Sequence, residues 1–175
     1  MRLIHYGTQM ESIRQFLTDD HGRLDALLER TGECRTPEEL AAYDQFRRGI
    51  LKHIGIEEKI LLTAAARLRG APLEQAARLR LDHGAIVSLL MPIPTPSIIR
   101  AIRTVLIAHN PIEEGDGGVY DICEKLAASE HDELLGKIHD APEVPTHPNA
   151  TSPRIIDAAK HALTRAGYDP ALLDD

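Results

Sequence analysis

The amino-acid sequence predicts an all-α fold, an up-down-up-down antiparallel four-helix bundle with a short extra C-terminal helix. Three observations predict it. Apolar residues recur at helical spacing through four long segments. Those segments start where threonine or serine precedes proline or an apolar run, and stop at glycine or at clustered prolines. No segment shows strand alternation bounded by turns, and aromatic residues make up only 3% of the chain.

Taken in order, Met1–Gly7 is a short lead-in. From about Gln9 to Arg30, Ile13, Phe16, Leu17, Leu24, Leu27 and Leu28 form an apolar stripe that includes His21. Gly32 suits the left-handed cap that ends such a helix. Thr36-Pro37-Glu38-Glu39 restarts the chain with a capping hydroxyl, a proline at the first helical position and acids at the positive end of the dipole. The second helix is expected from Pro37 to about Leu68, closed by Gly70-Ala71-Pro72. The third runs from about Pro72 to Leu90, with Leu73, Ala76, Leu79, His83, Ile86 and Leu90 on one stripe; Pro92, Pro94 and Pro96 terminate it. Ser97 opens the fourth, where Ile98, Ile102, Val105, Leu106 and His109 share a side. Pro111 and Gly115-Asp-Gly-Gly118 predict a kink or short break, with the helix resuming from Val119 to about Ile138. A loop passes Pro142, Pro145 and Pro148, and Ser152-Pro153 starts a last helix, Ile155 to Ala166. Residues 1–140 are thus expected to form the bundle, and 141–175 a proline-containing linker and a helix packed on it.

A chain of 175 residues is long enough for one domain with a real core. A net charge of −7, with only short basic clusters interleaved with acids, argues against nucleic acid as a partner. No apolar run approaches membrane-spanning length and no secretory signal opens the chain, so a cytoplasmic location without a membrane partner is expected. Cys34 and Cys123 are too few for a disulfide scaffold and lack metal-ligand spacing.

The chemistry concentrates in Leu51-Lys-His-Ile-Gly-Ile-Glu-Glu-Lys-Ile-Leu61. On a helix His53 and Glu57 lie one turn apart on one face, flanked by Ile50, Ile54 and Leu61, so both point inward. Polar groups aimed into an apolar interior need partners, and a metal ion satisfies both. The pattern recurs: His109-Asn-Pro-Ile-Glu113-Glu114 repeats His53-Ile-Gly-Ile-Glu57-Glu58. In an antiparallel bundle His21 and His83 lie roughly ten and nine residues before a turn and His109 about twelve after one, which places them at similar height for a rise of about 1.5 Å per residue. The inward set is therefore His21, His53, Glu57, His83, His109 and Glu113. Imidazoles and carboxylates without a thiolate suit iron, manganese or zinc. Six protein ligands exceed one tetrahedral zinc and leave open positions on two six-coordinate irons.

Asp20-His21-Gly-Arg-Leu24, His53-Ile-Gly-Ile-Glu57-Glu58, Asp82-His83-Gly84 and His109-Asn-Pro-Ile-Glu113-Glu114 together resemble the hemerythrin-like (HHE cation-binding) family over about residues 10–130. The resemblance implies two iron ions in a four-helix bundle, with manganese or zinc as substitutes. His21, His53, His83 and His109 would be ligands, and Glu57 and Glu113 bridging or terminal carboxylates. Two departures stand out. Oxygen-carrying members place a second histidine one turn after the first on the third helix, where this chain has Val87. They also space the last carboxylate five residues from its histidine, which would select Glu114. On an ideal helix Glu113 lies about 40° from His109 and Glu114 about 140°, which favours Glu113.

Among the remaining polar residues, Asp20 and Asp82 read as groups behind the ligands or in solvent, and Asp25, one turn after His21, competes for a ligand position. His5, His131, His139, His147 and His161 read as surface histidines. Three functions are then compatible with the chain. The first is a di-iron protein that binds, senses or reacts with a small diatomic ligand (O2 or NO) or peroxide, without typical reversible oxygen carriage. The second is a di-iron oxidoreductase turning over peroxide or NO. The third is a metal-free helical interaction module. The sequence specifies no protein partner.

Overall fold

The computed structural model describes residues 11–174; the lead-in, His5 and the expected helix start at Gln9 lie outside them. Among the described residues the fold is helical, with no strand and one isolated bridge between Pro92 and Ala150. Helix α1 is Ile13–Arg30, with the Ser12 side chain accepting from Gln15 N. Helix α2 is Pro37–Ile56, opened by a reciprocal capping box between Thr36 and Glu39. A π-helical turn, Glu57–Leu61, comes next, and α3 (Leu62–Arg69) ends on Gly70 at φ 81°. Then come α4 (Ala76–Leu89), α5 (Pro96–Glu114), α6 (Val119–Leu126), α7 (His131–His139), α8 (Pro153–Arg165) and a 3₁₀ turn, Pro170–Leu173.

Three local departures from the sequence expectations have physical causes. The second segment is not one uniform α-helix: Leu62 N–H bonds to Glu57 O, five residues back, and the widened turn is where Glu57 and Glu58 diverge. The third helix begins at Ala76 instead of Pro72, because no side chain caps it and residues 71–75 form a turn that still buries Leu73. The expected break does occur, over residues 115–118 with the helix resuming at Val119, while α5 tolerates Pro111 inside its last turn. The residue one turn back, Ile107, is 76% exposed, so water can take the carbonyl that proline leaves without a donor. The segment resuming at Val119 is split, with a turn over residues 127–130 where Glu130 pairs with Arg67.

Two apolar clusters make the core. One gathers Leu24, Leu27 and Leu28 with Phe46, Ile50, Ile86, Leu89, Ile102 and Val105, and it includes Ala159, Leu163 and Leu173 from the C-terminal segment. The other gathers Ile13 and Leu17 with Leu61, Leu79, Tyr120, Cys123 and Ile138. Along α1 and α4 the chain passes from the second cluster to the first; along α2 and α5 it passes from the first to the second. At each changeover sits one of His21, His53, His83 and His109, so a polar layer separates the two cores. Helix α8 packs on α4, and the 3₁₀ turn packs on α5 and α8. The preceding loop is tied down by Asn149, whose Nδ2 donates to Leu90 O and Pro92 O, and by Arg47, which donates to His147 O.

Candidate metal centre

All six inward candidates are buried, none more than 5% exposed. Among the described residues, two groups place donor atoms within 4.8 Å of one another: His21, His53, Glu57 and Glu113, and then Glu57, His83, His109 and Glu113. Each group has two imidazoles of its own, and both carboxylates are common to the two. Within the repeated motif the expected face is kept. His53 Nε2 lies 3.2 Å from Glu57 Oε1, and His109 Nε2 lies 3.1 Å from Glu113 Oε2. The Nε2 atoms of His83 and His109 face each other at 3.2 Å.

Behind every imidazole stands a second carboxylate, on the Nδ1 side. Asp20 Oδ2 meets His53 at 2.8 Å, Glu58 Oε1 meets His83 at 2.9 Å, Asp82 Oδ2 meets His109 at 3.4 Å, and Glu114 Oε2 meets His21 at 3.2 Å. The links form a closed ring in which each helix supplies the carboxylate for the next histidine, and α5 returns to α1. An Nδ1–H donating to a carboxylate leaves Nε2 as the free donor atom and fixes the ring's orientation. Three outer carboxylates are themselves held by arginine: Asp20 by Arg23 at 2.7 Å, Glu58 by Arg80 at 3.1 Å and Asp82 by Arg78 at 3.0 Å. Glu114 is anchored through its backbone, where its carbonyl accepts from Arg14 at 2.8 Å.

The electrostatics reflect this crowding. Burial works against charge on His53, yet the Glu57 carboxylate and the hydrogen bond to Asp20 raise its pKa to about 10. Burial is likewise outweighed at His83, raised to about 11 by its contacts with Glu113 and Glu57, and at His109, raised to about 9 by Asp82 and Glu113. Burial would lift Glu57, but His53 holds its carboxyl well below the usual range. The cluster is thus a set of buried opposite charges whose imidazole protons a metal ion can displace.

Two carboxylate oxygens remain unsatisfied in that set. Glu57 Oε2 and Glu113 Oε1 are buried without a hydrogen bond. His83 Nε2 stands 3.2 Å from Glu57 Oε2 without forming a hydrogen bond, and at 3.7 Å from Glu113 Oε1 it is beyond hydrogen-bond reach. An orphaned buried carboxylate oxygen is costly, and a cation between the two groups meets both. The donor set therefore fits metal ions.

The doublets Glu57-Glu58 and Glu113-Glu114 separate by direction: the first glutamate faces the interior and the second holds a histidine from another helix. Asp25 is exposed and belongs to neither group. Val87 is half-buried and packs against the first apolar cluster. His131 contacts Glu124 and Asp132, while His139 contacts Glu11 and meets the Phe16 ring edge to face, all away from the centre. Burial, reinforced by the charges of Glu57 and Glu113, pushes the Cys123 thiol up to about 12, so it offers no thiolate.

Sequence reasoning missed one residue at the centre. Tyr120 is fully buried, and its Oη donates to Glu57 Oε1 at 2.5 Å. Nothing in Val119-Tyr-Asp-Ile-Cys123 signals this, because the tyrosine reads as one more apolar position. It is delivered by a close backbone approach at Gly118, where a side chain would meet the carbonyl oxygens of Glu113, Gly115 and Ile112 at 2.6, 2.7 and 2.9 Å. The roles of Glu58 and Glu114 did have a signal: an Asp-His pair on two helices and a Glu-Glu pair on the other two.

Comparisons with protein-family models, with curated proteins and with solved structures return no match. No helix among the described residues is long and apolar enough to cross a membrane.

Proposed function

We propose that this chain is a non-haem di-iron protein of hemerythrin-like type, which binds, senses or reacts with O2, NO or peroxide. The observation that carries the reading is the sharing of Glu57 and Glu113 between two donor groups, each completed by two histidines. Two carboxylates common to two sites would hold a pair of ions close together and offset their charge. The alternation of the two apolar clusters along α1, α2, α4 and α5 supports an up-down-up-down four-helix bundle around that pair. Nitrogen and oxygen donors without a thiolate suit iron, with manganese or zinc as substitutes.

The iron pair, when bound, would supply two adjacent redox-active ions with positions left for a small ligand. The chain's own residues do the rest. The four imidazoles present Nε2 inward, and Asp20, Glu58, Asp82 and Glu114 hold them in that tautomer. The apolar clusters on either side exclude bulk water. Because the site residues are all buried, a diatomic gas or peroxide fits where a larger substrate would not.

Metal analysis and an absorption spectrum, before and after oxygen is admitted to the reduced protein, test this. About two irons per chain are expected after reconstitution, with oxidation in air and no long-lived adduct. Well under one metal per chain would overturn the reading. A stable, reversible oxygenated spectrum would make oxygen carriage the function.

A further inference from the structure

We propose that Tyr120 is a ligand of the centre, its phenolate oxygen binding the ion held by His21 and His53. This rests on the dinuclear reading above. Tyr120 Oη lies 3.2 Å from His21 Nε2, 3.2 Å from His53 Nε2, 2.5 Å from Glu57 Oε1 and 3.3 Å from Glu113 Oε2. One atom from each member of that donor group thus surrounds it. Neighbouring donors in an octahedral sphere of radius about 2.1 Å stand roughly 3 Å apart. Oη therefore already occupies the position of a fifth donor beside the other four. One hydroxyl proton cannot satisfy four neighbours, and the shortest of the four contacts is the one to Glu57. When an ion enters, the O–H bond breaks, an oxygen–metal bond forms, and the proton leaves to solvent. Glu57 Oε1 is released at the same moment for the metal.

A phenolate from Tyr120 makes the two sites unequal. The His21/His53 site gains a third anionic donor, which favours the ferric over the ferrous state. The His83/His109 site has no such group and keeps more open positions, so the small ligand enters there. An oxygen carrier must return readily to the ferrous state, and a phenolate on one ion opposes that.

Ferric-loaded wild-type protein and Tyr120→Phe are compared by metal content, visible absorption and resonance Raman, with Tyr43→Phe, a tyrosine buried in the first apolar cluster and outside both donor groups, as control. The expected result is a visible phenolate-to-iron absorption with tyrosinate Raman modes in the wild type and in Tyr43→Phe. Both signatures should be lost in Tyr120→Phe, which keeps its helical circular dichroism and at least one ion. Wild-type protein that holds both ions but shows no tyrosinate modes overturns the ligand assignment alone, whatever the folding of the variant. Persistence of the modes in Tyr120→Phe overturns it too. Wild-type protein that takes up no metal overturns both this assignment and the reading beneath it.

Discussion

His53-Ile-Gly-Ile-Glu57-Glu58 and His109-Asn-Pro-Ile-Glu113-Glu114 are the same pattern on two different backbones. The first runs into a π-helical turn from which the helix continues to Arg69. The second ends its helix, with proline inside the last turn and Gly115 after it. Yet each places its first glutamate beside its own histidine and its second on the histidine of another helix. The four-residue step determines the inner pair. The backbone beyond that step determines only which helix the outer glutamate reaches and how firmly it is held. Glu58 has Arg80 beside it, whereas Glu114 relies on its own main chain.

The largest effect should come from the inner pair. Glu57→Ala and Glu113→Ala should each remove both ions, because each carboxylate belongs to both donor groups. Loss of a buried charge partner should also destabilise the metal-free form by on the order of 3 kcal/mol. Metal analysis and denaturant titration check both points. Retention of one ion in either variant would break the equivalence of the two segments.

Next come the outer glutamates. Glu58→Gln and Glu114→Gln should each lower metal affinity by roughly 10–100-fold while the fold persists, as measured by competition with a chelator. Glu58→Gln acts on the His83 site and Glu114→Gln on the His21 site, and Glu58→Gln should cost more, since it also strands Arg80. A smaller loss at Glu58 than at Glu114 would show that the arginine layer contributes nothing.

The smallest effect is on the metal-free protein as pH changes. His53, His83 and His109 have folded pKa values of about 10, 11 and 9, above the ordinary imidazole value of 6.5. Their contribution is complete below about pH 6.5 and is lost as pH rises through 9 to 11. Glu57, shifted the other way, contributes above the usual carboxylate range and is lost only in acid. The melting temperature of the metal-free protein should therefore fall by roughly several degrees between pH 7 and 10. Metal loading near pH 7 should release about four protons per chain, one from each of these imidazoles and one from the Tyr120 hydroxyl, which calorimetry in buffers of different ionisation enthalpy measures. A flat melting profile would mean that the imidazoles are neutral.

Much of the helical pattern was legible because it is written in local signals. Thr36-Pro37-Glu38-Glu39, Gly70 and the prolines after Met91 act on their own neighbours, and the helices begin or end beside them. The burial of His21, His53, Glu57, His83, His109 and Glu113 was legible because helical periodicity places a side chain on a face. What escaped depends on contacts between segments. The π turn and the break over residues 127–130 carry no strong stop residue. Tyr120 reaches the centre only because Gly118 lets α6 fold back against the end of α5. The histidines that Glu58 and Glu114 hold lie on other helices, which spacing along one segment does not show.

The ring of outer carboxylates has a consequence for how the protein matures. Three of its links join residues 33, 25 and 27 positions apart in the chain, and they run in order from the N-terminus. The fourth, His21 to Glu114, spans 93 positions. During synthesis the first three can form one after another as the chain emerges, but the circuit cannot close until α5 is complete, and Tyr120 arrives later still. An ion captured early would meet half a site, open to water and to competing chelators. Under the dinuclear reading, metal loading would wait for α5 and Tyr120, and the ions would act as a reversible staple between the first and the last of the helices that carry the site.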